Sequence, residues 1–309
     1  MTGTVLETRG LTKCFGAIRA LAGVDLSVGR GDLFGFLGQN GAGKTTAIKI
    51  LARLVRPGSG TASLLGQDVA ATSPTRLFEK VGFLVESPSF FPYLSGLDNL
   101  LLHARLLGLH PAAPSCVELL ERFGLAAALK RRVREYSLGM KQRLGIAQAL
   151  LGDPELLILD EPTNGLDPEG IARVREILRE ECSGRGRSVF LSSHLLMEVE
   201  QLCSHVAVIH EGQIIATGRV AALLMEGESV RIRTSDPARA AKVLAGLEVA
   251  LQDAGGDGLY LQGDDACVAR VVRALALHEI DVYEATRERR SLEEFYRDLT
   301  RSGASWQAS

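Results

Sequence analysis

The chain has 309 residues, 46% of them hydrophobic and 5% aromatic, with 35 basic against 37 acidic side chains and a formal charge of −2. That length supports one large domain and a smaller one, and the charge balance excludes the basic excess of a nucleic-acid-binding surface. The five cysteines, Cys14, Cys116, Cys182, Cys203 and Cys267, are never spaced Cys-x-x-Cys, which argues against a disulfide framework or zinc site and for a reducing compartment.

The N-terminal MTGTVLETRG lacks the apolar core of a secretory signal. No uninterrupted apolar run nears the ~20 residues needed to span a bilayer. The chain is therefore expected to be soluble by itself and to serve a membrane only through a partner. Within residues 4–30, VLETRGL and GVDLSV alternate short apolar runs with Gly and Arg, which predicts antiparallel strands. DLFGFLG predicts a strand running into a glycine-rich loop, and TTAIKILARL the helix after it. From Ser95 to about Leu151 the period becomes helical, in LDNLLLHARLLGL, SCVELLERFG and KQRLGIAQALL, punctuated by Pro111, Pro114 and Gly124. The basic run KRRVR, Lys130 to Arg134, reads as a solvated helix end. Strand–helix alternation resumes with ELLILDEP, PEGIARVREILREEC, SVFLSS and HLLMEVEQLC, followed by the hairpin-like VAVIHEGQIIATG.

Residues 1–224 thus read as an α/β domain: a parallel-sheet core with an antiparallel β subdomain and a helical insert at about 95–151. MEGES breaks the pattern. Residues 229–309 then give strand, helix, strand, strand, helix, strand, helix, a small α+β module that is ferredoxin-like if it forms a split βαβ unit.

GQNGAGKTT, Gly38 to Thr46, fits G-x-x-x-x-G-K-[ST] between a predicted strand and a predicted helix. Gly38, Gly41 and Gly43 let backbone N–H groups curl around phosphates without Cβ clashes. Lys44 adds charge near the β- and γ-phosphates, the helix N-terminus adds its dipole, and Thr45 offers a hydroxyl to Mg²⁺. Asn40 and Thr46 complete the phosphate-binding set, so ATP and Mg²⁺ are the expected cofactors. In LLILDEP an apolar strand ends in two carboxylates. Adjacent strand residues point to opposite sides, so Asp160 is expected to face the metal and Glu161 the attacking water as general base. His194 follows the strand SVFLSS at a carboxyl end, where open α/β sheets bind ligands; it is assigned a γ-phosphate contact.

YSLGMKQRLGIAQALL places Ser137 at a helix N-cap with Gly139 behind it. This segment resembles the LSGGQ signature of ATP-binding cassette (ABC) proteins. The order of motifs is also similar to that family: the phosphate loop, the signature at Ser137–Lys141, LILDEP, GLDP at Gly165–Pro168 and SSH ending in His194. The resemblance covers Val5 to about Gly218 and implies a phosphate-loop NTPase core of the cassette type. It implies a head-to-tail dimer in which Ser137 and Gly139 of one copy reach the γ-phosphate held by the other, with Asp167 coupling the two sites. It matches Phe15 to the aromatic that stacks on adenine, a core position being the alternative for that ring. It places Glu86 where the family most often has Gln, as a metal or water contact. Leu138 and Met140 also depart from the family pattern. Phe90, Phe91, Tyr93 and Leu94 lie where the family receives a separate membrane permease; some of them serve equally well as insert core.

Glu86 with YSLGMKQR and NGLDP resembles the cassettes of bacitracin- and lantibiotic-type exporters, and RRSLEEFYRDLT resembles the tail of daunorubicin-resistance-type ones. The resemblance thus implies an ATPase that powers efflux through a permease from the cytoplasmic face of the membrane. The alternative is a cassette ATPase acting in regulation or on a nucleic-acid or ribosome partner. The single cassette and the neutral charge balance speak against the latter. The C-terminal module reads as either a ligand sensor or a dimer-stabilising appendix.

Overall fold

The computed structural model describes residues 3–109, 113–225, 229–247, 251–253, 258–261, 264–288, 291–302 and 306–307. Pro111, the middle of MEGES, the start of VALQD, the end of GLYLQG and the arginines of RRSLEEF lie outside them. The chain divides into two compact units, Met1–Arg219 with Ser302–Ser309, and Val220–Arg301.

The first unit opens with strands β1 (Thr4–Phe15), β2 (Ile18–Gly29) and β3 (Leu33–Leu37), then helix α1 (Lys44–Leu51). Next come β4 (Ser59–Leu64), β5 (Gln67–Asp68), α2 (Pro74–Phe78) and β6 (Val81–Leu84). Three helices make the insert: α3 (Gly96–Leu106), α4 (Ala113–Arg122) and α5 (Leu138–Ala149). The core then resumes with β7 (Leu156–Asp160), α6 (Pro168–Ser183), β8 (Ser188–Ser193), α7 (Leu196–Leu202), β9 (His205–His210) and β10 (Gln213–Arg219).

β1, β2, β4 and β5 form an antiparallel sheet ordered β2-β1-β4-β5. The main sheet places β9, β3, β8, β7 and β6 side by side and parallel, with β10 antiparallel at the β9 edge. Strands β3, β7 and β8 are buried along their whole length, as expected of strands covered on both faces. Phe190 stands at their centre, its ring centroid 5.9 Å from Phe34 and 5.4 Å from Phe36. Short polar side chains start the helices. Ser95 caps α3 by accepting the Asp98 N–H, Ser137 caps α5 and Asp167 caps α6 ahead of Pro168. The basic run 130–134 is not the end of an α-helix; it links two 3₁₀ turns, Ala126–Ala128 and Val133–Glu135.

The second unit comprises α8 (Val220–Met225), β11 (Ser229–Thr234), α9 (Pro237–Leu244), β12 (Leu251–Asp253), β13 (Gly258–Leu261), α10 (Asp265–Leu277), β14 (Val282–Glu288) and α11 (Leu292–Ser302). Its antiparallel sheet runs β12-β13-β11-β14, so the last strand joins the first and the third lies between first and second. That is the ferredoxin-like order of a split βαβ unit. Val230, Ile232, Leu259 and Leu261 share one core with Ala240 and Leu244 of α9 and Val271 and Leu275 of α10.

After α11 the chain returns to the first unit. Strand β15 (Trp306–Gln307) pairs parallel with Ala216 and Thr217 of β10. The tail that the sequence groups with the small module thus adds a strand to the main sheet, where β10 would otherwise present unpaired edge groups. Among the described residues, no helix is long and apolar enough to cross a membrane.

Candidate nucleotide-binding site

The loop between β3 and α1 is wedged so tightly that two glycines are dictated by space. Gly43 caps α1 with φ of 114°, and a Cβ there would lie 2.5 Å from the Ala20 carbonyl oxygen. A Cβ on Gly38 would lie 2.5 Å from the Ile209 carbonyl oxygen. The β9–β10 turn supports the loop from below, with the Gly212 N–H donating to the Ala42 carbonyl at 3.0 Å. The first-turn N–H groups of Lys44, Thr45 and Thr46 lack an intrahelical acceptor, as at any helix start, and Gly43 has no side chain to cap them. They line a cavity of about 220 Å³ together with Asn40, Gly41 and Gly43. Its far wall is Glu161, Asn164 and His194.

Lys44 is buried, and its Nζ donates to the Gly38 carbonyl at 2.6 Å and the Gln39 carbonyl at 3.2 Å. The same nitrogen lies 3.3 Å from Glu161 Oε1. The other carboxylate oxygen, Oε2, is 2.8 Å from His194 Nδ1. Strand alternation does not set this geometry. β7 ends at Asp160, and Glu161 turns off the strand with φ of 47°, a left-handed conformation rare for a side-chain-bearing residue. Its peptide is pinned on both sides: the N–H donates to Ser192 Oγ at 2.9 Å, and the carbonyl accepts from Gln142 Nε2 at 3.0 Å. Ser192 Oγ in turn donates to Asp160 Oδ1 at 2.6 Å, and Asp160 is buried and is not part of the cavity lining.

The remaining sequence candidates lie outside that cavity lining. Glu86, also left-handed at φ of 56°, is exposed, and its Oε1 pairs with Lys49 Nζ on α1 at 2.6 Å. Phe15 is 49% exposed beside Lys13, whose ammonium is 5.1 Å from the ring centroid; the core alternative for this ring is therefore excluded. Ser137 Oγ accepts the Met140 N–H, and Gly139 sits against Gly165 and Leu166. Asp167 Oδ1 accepts the Gly170 N–H at 3.0 Å. Sequence reasoning missed Asn164, Ala20, Gln142 and Ser192. Asn164 and Gln142 stood within quoted motifs, in NGLDP and YSLGMKQR; nothing local in the sequence marks Ser192 or Ala20.

The donor set suits a magnesium-bearing polyphosphate. Uncapped N–H groups and a buried ammonium ring the cavity floor, where anions bind best. Among the described residues, no cluster of three His, Cys, Asp or Glu could hold a metal alone. A divalent ion placed at Thr45 and Asp160 would therefore need phosphate oxygens to complete its shell, which is the habit of Mg²⁺.

A phosphate cradle facing a doubly held carboxylate, set between an antiparallel subdomain and a helical insert, defines a cassette-type ATPase. Residues 21–164 match the ABC transporter family model. The chain is 44% identical over 212 residues to the bacitracin transport ATP-binding protein BcrA of Bacillus licheniformis, covering 69% of each. It is 36% identical over 298 residues to the uncharacterized ABC transporter ATP-binding protein YhcH of Bacillus subtilis, covering 96% of each. A solved ATP-binding subunit of an ABC transporter superposes with a TM-score of 0.66 at 32% identity, over 72% of this chain and 92% of that one. The chain belongs to the ATP-binding proteins of ABC transporters.

Proposed function

We propose that this chain is the motor subunit of an exporter, hydrolysing MgATP on the inner face of the cell membrane to drive efflux of a drug, antibiotic, peptide or lipid-like molecule through a separate permease. The observation that carries this reading is the seating of Glu161 between Lys44 and His194 at the carboxyl ends of β7 and β8. Likeness to a bacitracin transport protein supports the substrate class. Exposed Phe91 and Tyr93 at the entrance to the insert support a permease contact, and Asn99 holds that loop by bonding both the N–H and the carbonyl of Phe91.

In this reading Lys44 exchanges Glu161 for the β- and γ-phosphates. Glu161 is then free to take a proton from the attacking water, while His194, carrying a proton on each ring nitrogen, keeps Nδ1 on the carboxylate and donates from Nε2 to the γ-phosphate. Thr45 and Asp160 would hold Mg²⁺, which when bound neutralises phosphate charge. Phe15 stacks on adenine. Two copies pack head to tail, the start of α5 at Ser137 and Gly139 facing the γ-phosphate of the other copy, with Asp167 beside that junction. The unit Met1–Arg219 with Ser302–Ser309 acts as the ATPase domain and Val220–Arg301 as an accessory domain.

Glu161→Gln tests the reading. The variant is expected to bind MgATP, to lose at least about 100-fold in hydrolysis, and to accumulate as a dimer by light scattering. Wild-type turnover would refute the general-base role. A strictly monomeric, ATP-loaded variant, even with its permease present, would end the exporter-motor reading.

A further inference from the structure

The backbone of Glu161 is held from two elements that have different tasks. Ser192 on β8 takes its N–H, and Gln142 on α5 donates to its carbonyl. Gln142 is 95% buried and stands 19 residues before Glu161 in the chain. α5 is also the helix whose start, at Ser137 and Gly139, the proposed function directs to the second copy's nucleotide. A left-handed non-glycine residue persists only where its surroundings over-determine it, and removing the Gln142 bond releases one of the two restraints on that φ of 47°. The carboxylate of Glu161 sits one residue's covalent geometry away from the held carbonyl, so a displacement of α5 is transmitted to the position of the base.

We propose that Gln142 is a positioning residue for hydrolysis: it ties the orientation of Glu161 to the signature helix of its own subunit. Hydrolysis at one nucleotide thereby depends on that helix engaging the other. This rests on Glu161 being the general base.

Two variants of closely similar shape provide the test, each first checked for wild-type melting and ATP binding. Gln142→Leu deletes the donor and is expected to lower kcat about 10- to 100-fold, the scale of a misplaced catalytic group, with KM for ATP within about twofold. Gln142→Glu opposes a carbonyl with a carboxylate at high pH but regains an O–H donor once protonated, and burial raises the pH at which that happens. Its kcat relative to wild type should therefore climb as pH falls from about 8.5 to 6, while the Gln142→Leu ratio stays flat. Ser137→Ala should cost less kcat in the Gln142→Leu background than alone, because coupled residues are non-additive. Parallel pH profiles, or a Gln142→Leu protein with wild-type kcat, would overturn the positioning role, and additive losses would overturn the link to α5. An inactive Glu161→Gln control separates these outcomes from failure of the general-base reading, in which Glu161→Gln itself stays active.

Discussion

Lys44 and Glu161 occupy one another, with the lysine Nζ 3.3 Å from Oε1 and the lysine side chain 96% buried. A buried ammonium needs acceptors on all three hydrogens, and the Gly38 and Gln39 carbonyls supply only two. Glu161 is therefore the natural third partner until a phosphate takes its place. Binding must break this pair, so neutralising the carboxylate should help the ligand. Glu161→Gln is expected to tighten MgATP about fivefold, roughly 1 kcal/mol for a partly solvated pair, as measured by calorimetry. Lys44→Met should abolish detectable binding at millimolar nucleotide. Equal affinities of wild type and Glu161→Gln would show that the pair does not compete with phosphate.

To serve the nucleotide, Glu86 would have to leave Lys49. That step is cheap, because the Glu86 side chain is 58% exposed and such pairs are worth about 0–1 kcal/mol. Glu86→Ala is expected to lower kcat by about tenfold or more if the carboxylate serves metal or water, with little change in denaturation midpoint. Unchanged kcat would restrict Glu86 to the surface of α1.

Much of this was legible because single motifs are local. GQNGAGKTT needs only a strand before it and a helix after it, and β3 and α1 supply them. The ferredoxin-like order was legible because each strand and helix of that module has its own period. Glu86 was harder: its pairing with Lys49 joins residues 37 positions apart, and no pattern in GFLVESPSFFP signals it. What directs Glu161 was not legible for a similar reason. Alternation holds within a strand, whereas Glu161 stands one residue past β7 in a left-handed turn fixed by partners on β8 and α5. Strand β15 was invisible because two residues carry no periodicity.

The joint between insert and core rests on buried charge. Glu181 of α6 is fully buried, with Oε1 2.8 Å from Arg122 Nη2 of α4. Its Oε2 lies 2.7 Å from Arg187 Nε, a close charge pair without hydrogen-bond alignment. Burial alone would lower the pKa of Arg122, but the hydrogen bond and charge of Glu181, with those of Glu180, more than offset it and hold the guanidinium protonated. Glu181→Ala strands two arginines and is expected to cost about 3 kcal/mol, the low end for breaking a buried pair because Glu180 and Asp153 remain as partners. Cys182 gives a second readout. Burial, then the charges of Glu181 and Asp32, push its thiol up to about 12, so it resists alkylation in the native protein. Faster labelling of Cys182 should accompany the lost stability in urea unfolding. A variant as stable as wild type would show that α4 does not depend on this cluster.

His103 of α3 is expected to make the insert acid-sensitive. Its Nδ1 is 3.1 Å from Gln148 Nε2 of α5. That amide nitrogen can only donate, so the ring accepts through Nδ1 and is neutral. Burial lowers its pKa below the ordinary 6.5. A proton on Nδ1 would also set two donors against each other. Because the folded pKa lies below the unfolded one, the contribution of neutral His103 is fully present above about pH 6.5 and is lost as pH falls through the depressed value. Urea midpoints for the wild type should therefore fall between pH 7.5 and 5, and His103→Gln, which keeps a neutral polar group facing Gln148, should flatten that decline. Wild type and His103→Gln declining in parallel over this window would assign the acid sensitivity to other groups.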